Sequence, residues 1–337
     1  MLNFKNDYSV SAHPKVLDAI VQIGQEPNVG YGTDAYCDRA AALIRDLCQA
    51  PDSFVHFFIG GTSANLTIIH AALRAWEAVI SADTAHINLH EGGAIEANGH
   101  KIVQVSTPDG KLRPSDLEPI MELHQDNFMV LPRMVSIANA TEIGTVYTKA
   151  ELTALSEYCR ANKLYLFIDG ARLATGLTAE GSDLTLPDIA RLADAFYIGG
   201  TKNGTMMGEA MVITNPALEE EFFRVMKQQG AVLAKGFLLG AQFEVLLKDG
   251  LYWDMARHAN AMAQKLQKGL VEKGYSLMIE SPTNQIFPVV PNELLPKLDE
   301  LCLYEFWSKA DDTHTNIRFV TSFATTEQDV DDLLAAL

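Results

Sequence analysis

Cysteine is scarce, with four residues in 337, and no two of them form a Cys-x-x-Cys pair. Cys37, Cys48, Cys159 and Cys302 lie far apart. That spacing excludes the usual thiolate metal and redox motifs, so no metal is expected, and it suits a reducing compartment. No uninterrupted apolar run reaches the ~18 residues of a membrane helix. Met1 to Val10 is polar and lacks the apolar centre of a secretory signal. The expectation is a cytoplasmic protein with no membrane partner. Basic residues are outnumbered, 26 Lys and Arg against 43 Asp and Glu, for a net charge of −17. Nucleic acid selects for a basic face, so it is not an expected partner. A small anionic ligand stays open, because a local cluster of Arg, Lys and backbone N–H groups can bind one in an acidic protein.

Apolar residues make up 48% of the chain and charged residues 20%, an ordinary globular balance. Elements alternate along the first 250 residues. Pro14 opens a helix with Val16, Leu17, Ile20 and Ile23 at helical spacing, and a second helix spans Tyr36 to Gln49. Ser53 to Ile59 reads as a buried strand stopped by Gly60-Gly61, followed by a helix from Ala64 to Trp76. Strands are expected at Ala78–Ser81, Ile102–Val105, Met129–Ile137, Leu164–Ile168, Ala195–Ile198 and Ala210–Ile213, with helices at Pro114–His124 and Lys149–Asn162. This alternation predicts an α/β fold with a mostly parallel, doubly wound sheet covered on both faces. After about residue 250, helices at Tyr252–Lys273 and Asn292–Leu301 interleave with short strands near Met278, Ile286 and Ile317. The expected organisation is an N-terminal arm (1–13), a large domain (14–250) and a smaller α+β domain (251–337).

Five features carry chemistry. Gly199-Gly-Thr-Lys202-Asn-Gly204 sets a lysine among glycines directly after an apolar strand, where the backbone turns tightly and a bulky ligand can approach. Asp169 ends a buried strand, the place where open α/β sheets bind ligands. A carboxylate there keeps a pyridine nitrogen protonated, as pyridoxal 5′-phosphate (PLP) requires of its electron sink. Gly60-Gly-Thr-Ser63 lies between a strand and a helix, so free N–H groups, hydroxyls and the helix dipole can hold a phosphate. His86, with His90 and Glu91 close by, can stack on a ring or exchange protons near neutral pH. Arg172 and Arg318 can clamp a carboxylate. Each piece has a plainer alternative: a loop lysine, a turn-capping Asp, an N-cap, a structural His, a surface Arg.

Taken together, Gly61-Thr-x-Ala-Asn65, His86-x4-Glu91, Asp169-Gly-Ala-Arg172, Gly200-Thr-Lys202-Asn-Gly204 and Arg318 resemble the threonine aldolase/β-eliminating lyase family, in the family's order and over the whole chain. The resemblance implies the fold type I (aspartate-aminotransferase) architecture, a mostly parallel seven-stranded sheet with a smaller C-terminal α+β part. It also implies PLP as cofactor, a small amino acid as substrate, and a homodimer or homotetramer with its site at the subunit interface. Lys202 then anchors the cofactor, Asp169 pairs with its ring nitrogen, and His86 stacks on the ring. Gly60, Gly61, Thr62, Ser63 and Thr201 hold the phosphate side, joined by Lys235, and Arg172 and Arg318 hold the substrate carboxylate. Tyr31 matches a loop that reaches across the interface. Two segments depart from the family. Ile137-Ala-Asn-Ala-Thr-Glu-Ile-Gly144 puts Asn139 where many members have a His near the substrate hydroxyl, which marks a divergent Ala-Thr-Glu-x-Gly-Thr-Val-Tyr branch. Asn6-Asp7 stands where a carboxylate-binding Ser is common.

The implied reaction is Cα–Cβ cleavage of a β-hydroxy amino acid such as threonine, with the base among His86, His90 and Glu91. β-Elimination, transamination or racemisation on the same scaffold is the nearest rival. A non-catalytic protein that keeps the fold is a rival of another class. Gly30-Tyr-Gly-Thr-Asp-Ala35 matches a dinucleotide-binding pattern but follows no buried strand, so that context fails. If Lys202 anchors the cofactor, Lys202→Ala loses the absorbance band that PLP gives with the wild-type protein, and most activity with it. An unchanged spectrum removes Lys202 from the role.

Overall fold

The structure is a computed structural model describing residues 1–337. Seven strands form the main sheet: β1 (Phe54–Phe58), β2 (Glu77–Ala82), β3 (Lys101–Val105), β4 (Leu131–Ala138), β5 (Tyr165–Asp169), β6 (Ala195–Gly199) and β7 (Glu209–Ile213). Their spatial order is β1-β7-β6-β5-β4-β2-β3. Only β7 runs against its neighbours; the remaining pairings are parallel. β2, β6 and β7 are buried along their whole length, which is why their sequences read as apolar runs rather than alternations.

The alternation survives in which core each side chain enters. Leu166 and Ile168 of β5, with Phe196 and Ile198 of β6, pack on one face of the sheet with Leu152, Leu155, Phe243 and Tyr252. Phe167 and Tyr197 pack on the other, with Ile68 and Ile69 of the helix Gly61–Ala72. Side chains two apart on a strand share a face. Asp169 therefore follows Phe167 toward the side that carries Tyr197 and the Gly61–Ala72 helix.

The C-terminal part holds a separate antiparallel sheet of β8 (Ser276–Ile279), β9 (Gln285–Pro291), β10 (Glu305–Lys309) and β11 (His314–Val320), in the order β10-β11-β9-β8. The long helix Leu251–Glu272 and the last helix Glu327–Ala336 bury Leu266, Leu270, Val330 and Leu333 against it. The first residues of the chain join this core. Leu2–Asn3 pairs in parallel with Cys302–Leu303, Phe4 is fully buried, and the Phe4 carbonyl accepts from the Val320 N–H at 2.7 Å.

Several expected elements end elsewhere. The helix expected over Ala64–Trp76 starts at Gly61 and stops at Ala72, leaving Trp76 exposed ahead of β2. The helix expected over Asn292–Leu301 is a 3-10 turn (Asn292–Leu294) and then a short helix (Leu295–Leu301), with Pro296 in the first turn where its missing N–H does no harm. The helix Phe237–Lys248 gave no periodic signal because it is buried nearly all round, with Leu239, Ala241, Gln242, Phe243, Leu246 and Leu247 inside. The helix Glu327–Ala336 and strand β10 were also not anticipated, although Thr326 and Asp329 form a capping box. No helix is long and apolar enough to cross a membrane.

Gly240, in Phe237–Lys248, lies against the helix Ala35–Cys48; a Cβ there would sit 2.5 Å from the backbone nitrogen of Cys37. Backbone cannot yield as a side-chain tip can. Gly240→Ala is expected to destabilise the protein by roughly 1–3 kcal/mol. Lys248→Ala, exposed on the same helix, stays within about 0.5 kcal/mol. Urea midpoints of the two variants against wild type check this.

Candidate active site

The C-terminal ends of β4, β5 and β6 open onto a cavity of about 250 Å³. Asp169 and Lys202 both line it, together with Gly61, Thr62, Asn65, His86, Arg172 and Thr201. Two glycines allow the strand ends to close. A Cβ on Gly170 would fall 1.6 Å from the Tyr197 carbonyl oxygen, and one on Gly199 would fall 2.5 Å from the Gly170 carbonyl oxygen. The backbones approach so closely that only glycine fits, which brings the Asp169 turn beside the Lys202 loop.

Asp169 is buried and takes three donors: the Tyr197 hydroxyl, the Ala171 N–H at 2.9 Å and Asn65 Nδ2 at 2.9 Å. An ionised carboxylate has about four acceptor sites. One remains for a cationic N–H in the cavity. Lys202 is drawn below the usual lysine range by burial and then by the Arg172 charge, against the opposing pull of Asp7, Asp169 and Glu209. An amine so placed is readily deprotonated and nucleophilic. Glu209 of β7 holds the Lys202 loop by accepting the Gly200 N–H at 2.9 Å; burial raises its carboxyl to about 7. Thr201 Oγ1 accepts the Gly208 N–H at 3.1 Å.

Gly61 and Thr62 begin the twelve-residue helix Gly61–Ala72, and no side chain caps it. The Ala64 N–H bonds the Gly60 carbonyl, but the N–H groups of Gly61 and Thr62, which line the cavity, have no acceptor within the chain, as a phosphate site requires. Gly60 and Ser63 belong to the same turn without lining the cavity. Amine, carboxylate and anion cradle thus border one space, and their chemistry fits PLP: a lysine for its aldehyde, a carboxylate for its ring nitrogen, a helix N-terminus for its phosphate.

His86 starts a short turn of helix after β2, and its Nδ1 lies 2.8 Å from Glu91 Oε1. A carboxylate only accepts, so Nδ1 carries the proton. Glu91 also accepts from Asn65 Nδ2 at 2.8 Å, and its side chain is fully enclosed, so it touches nothing in the cavity. His90 is exposed, with its ring centroid 5.5 Å from that of His86.

Arg172 makes a bidentate pair with Asp7, Nε to Oδ2 at 2.8 Å and a terminal nitrogen to Oδ1 at 3.0 Å, and Asn284 Nδ2 adds a third donor at 2.9 Å. Burial alone would raise the Asp7 carboxyl, but the charges of Arg172 and Lys202 and the hydrogen bonds from Arg172 and Asn284 together outweigh it, and the group sits below the usual aspartate value. Arg318 on β11 stacks over Trp307 at 5.3 Å and donates to Gln285 Oε1 at 3.3 Å, while its Nε is buried without a partner. Burial, then the Arg172 charge, brings Arg318 down to about 10. Two guanidiniums that feel each other and keep a donor spare make a site for an anion.

Gly60, Ser63, His90, Glu91 and Arg318 do not line the cavity, and four further residues singled out from sequence, Asn139, Asn6, Tyr31 and Lys235, also lie outside it. Asn139 is buried but turned away, its Oδ1 accepting the Tyr147 N–H at 3.2 Å, while Ala138, Ala140 and Glu142 from the same segment line the cavity. Asn6 folds onto its own turn, accepting from the Tyr8 N–H and Ser9 Oγ; its neighbours Asp7 and Tyr8 are the ones that reach the site. Tyr31 and Lys235 lie exposed on another surface, next to each other, with the Tyr31 N–H bonded to the Ala234 carbonyl at 3.0 Å and Lys227 over the Tyr31 ring. Sequence reading missed Asp7 as an ion-pair partner, and also Tyr8, Glu142, Tyr197 and Glu209. Of these, only Tyr197 carried a signal, being two residues before Gly199 on a strand and so on the face of Asp169.

Comparison with known proteins agrees with this picture. The family model described as β-eliminating lyase matches residues 7–293. The chain is 32% identical to a low specificity L-threonine aldolase of a Pseudomonas species, covering 98% of this chain and 96% of that one. It is 33% identical to another enzyme of that name from Pseudomonas aeruginosa over 84% and 83% of the two. The solved structure of a Leishmania major threonine aldolase superposes with a TM-score of 0.98 at 46% identity, over 99% and 98% of the two chains. A Thermus thermophilus aspartate aminotransferase mutant, at 15% identity and a TM-score of 0.73, shares the fold.

The Asp7–Arg172 pair has a measurable signature. Asp7→Ala leaves a buried guanidinium without its counter-charge and is expected to lower stability by roughly 3–5 kcal/mol. Because the folded-state pKa of Asp7 lies below 3.8, its contribution is complete above that value and is lost as pH falls through the folded pKa, the unfolded chain taking the proton first. Asp7→Asn removes that part of the acid dependence. Urea titrations between pH 2 and 6, compared with wild type, test both.

Proposed function

The chain belongs to the β-eliminating lyase family, and on that premise we propose that its cleft binds pyridoxal 5′-phosphate and splits the Cα–Cβ bond of threonine or allo-threonine into glycine and acetaldehyde. The observation that carries this reading is the meeting of Lys202, Asp169 and the uncapped N-terminus of Gly61–Ala72 around one cavity. Bound there, the cofactor supplies an electron sink for the pair released when a bond to Cα breaks.

The protein's part is to hold, orient and move protons. The Lys202 amine, kept low in pKa by burial and Arg172, would hold the cofactor covalently. Asp169, fixed from three sides, would supply the negative charge for its ring nitrogen. Gly61, Thr62 and Thr201 would take the phosphate side. His86, steadied by Glu91, would pack against the ring. Arg172 and Arg318 grip the substrate carboxylate, and that grip decides which bond at Cα stands ready to break. A base in the cleft takes the hydroxyl proton, the O–H pair becomes the carbonyl of acetaldehyde, and Cα gains a proton to give glycine. The exposed patch of Tyr31 and Lys235 lies outside this cavity and is suited to complete the site of a second copy, so the working unit is a homodimer or a tetramer of such dimers. The four buried, unpaired thiols suit the cytoplasm.

The test is a product assay with the PLP-loaded protein. Threonine and allo-threonine are expected to give acetaldehyde and glycine in equal amounts. A keto acid in place of acetaldehyde overturns the reading. Arg318→Ala is expected to raise KM for threonine about 10–150-fold, the range of one or more lost charged hydrogen bonds.

A further inference from the structure

Six carboxyl groups surround or support the cavity, and five of them are committed. Asp169 accepts from Tyr197, Ala171 and Asn65. Glu91 accepts from Asn65 and His86 behind the cavity wall. Asp7 is consumed by Arg172 and Asn284. Glu209 holds Gly200 and Thr201. Glu305 pairs with Lys5. Glu142 differs. It lines the cavity, has no ion-pair partner, and is met only by backbone N–H groups, that of His86 to Oε1 at 2.9 Å and its own. The His86 bond fixes the carboxyl to the segment carrying His86 and leaves lone pairs for a ligand. The same loop turns Asn139 away toward Tyr147, so Glu142 stands in the cavity where Asn139 does not.

Resting on the aldol-cleavage reading above, we propose that Glu142 is the catalytic residue that takes the β-hydroxyl proton of the substrate. The step balances. The hydroxyl O–H bond breaks and its proton goes to a Glu142 oxygen. The O–H electron pair becomes the second C–O bond of the aldehyde as the Cα–Cβ pair leaves with Cα. Cα then gains one proton, equal in number to the one Glu142 took and later releases, so the carboxyl ends the turnover as it began. Burial, then the charge of Asp169, raises Glu142 to about 7, while the His86 N–H and ring favour its ionised form. A base with that value is matched to proton transfer at neutral pH. His86 is the competing base, since the proton on Nδ1 toward Glu91 leaves Nε2 free to accept; Glu142→Gln separates the two because it leaves the His86–Glu91 pair in place.

Glu142→Gln keeps an oxygen for the His86 N–H and removes the base. In the PLP-loaded variant, kcat for threonine cleavage is expected to fall about 10²–10⁴-fold with KM within about threefold. The cofactor spectrum should match wild type, and solvent exchange of the glycine α-proton, which involves no hydroxyl, should persist. In the cofactor-free protein, one glutamate carboxyl ¹³C resonance missing from the variant should titrate near 7. A variant kcat within threefold of wild type, an equal loss of glycine exchange, or a resonance titrating near 4.5 overturns the assignment of Glu142 while leaving aldol cleavage standing. A wild-type protein that yields no acetaldehyde overturns both.

Discussion

The site depends on a carboxylate that is buried and yet kept charged. An ionised group out of water is tolerated only when its lone pairs are met, and Asp169 is met from three directions. Tyr197 comes from the neighbouring strand, Ala171 from the turn that follows, and Asn65 from a helix 104 residues earlier. Moving any one of these elements leaves a charge short of a donor in a poorly polarisable surrounding. The requirement therefore fixes the sheet, the turn and the Gly61–Ala72 helix relative to one another, and so sets the helix N-terminus beside Lys202.

From Asn65 the constraint spreads. Its amide divides its two protons between Asp169 and Glu91, and Glu91 then orients His86. His86 in turn passes its backbone N–H to Glu142. His86, Glu142 and Asp169 are thus linked through one chain of hydrogen bonds. The polarity along that chain is fixed, because each carboxylate can only accept.

The sequence made visible what the backbone itself must do. Lys202 among glycines, Asp169 at a strand end and Gly60–Ser63 before a helix are local events, and the residues needed for tight turns and an anion cradle are written side by side. The strands of the main sheet were legible too, as apolar runs bounded by breakers, although the all-round buried helix Phe237–Lys248 hid for lack of a period. What stayed hidden comes from long-range approach. Asp7 meets Arg172 across 165 positions of chain, and no spacing rule links them. Glu142 lies in the segment that departs from the family pattern, where Asn139 stands at the family's histidine position. The backbone after β4 turns Asn139 inward to Tyr147 and Glu142 out to the cavity, a choice that only the packing of that loop decides.

The N-terminal arm ties the main sheet to the far end of the chain. Phe4 is buried in the core built by β9, β11 and the last helix, and its carbonyl is bonded to Val320 two residues after Arg318. Three residues beyond Phe4, Asp7 grips Arg172, which lies just past β5 of the main sheet. Arg172 and Arg318 belong to different parts of the structure and repel each other. The arm is joined to both, carrying the counter-charge to one and packing beside the strand of the other. Two mutually repelling arginines hold their spacing only if something bridges the parts that carry them, and the buried Asp7 pair is that bridge. The arm is thus a structural part of the paired-arginine arrangement.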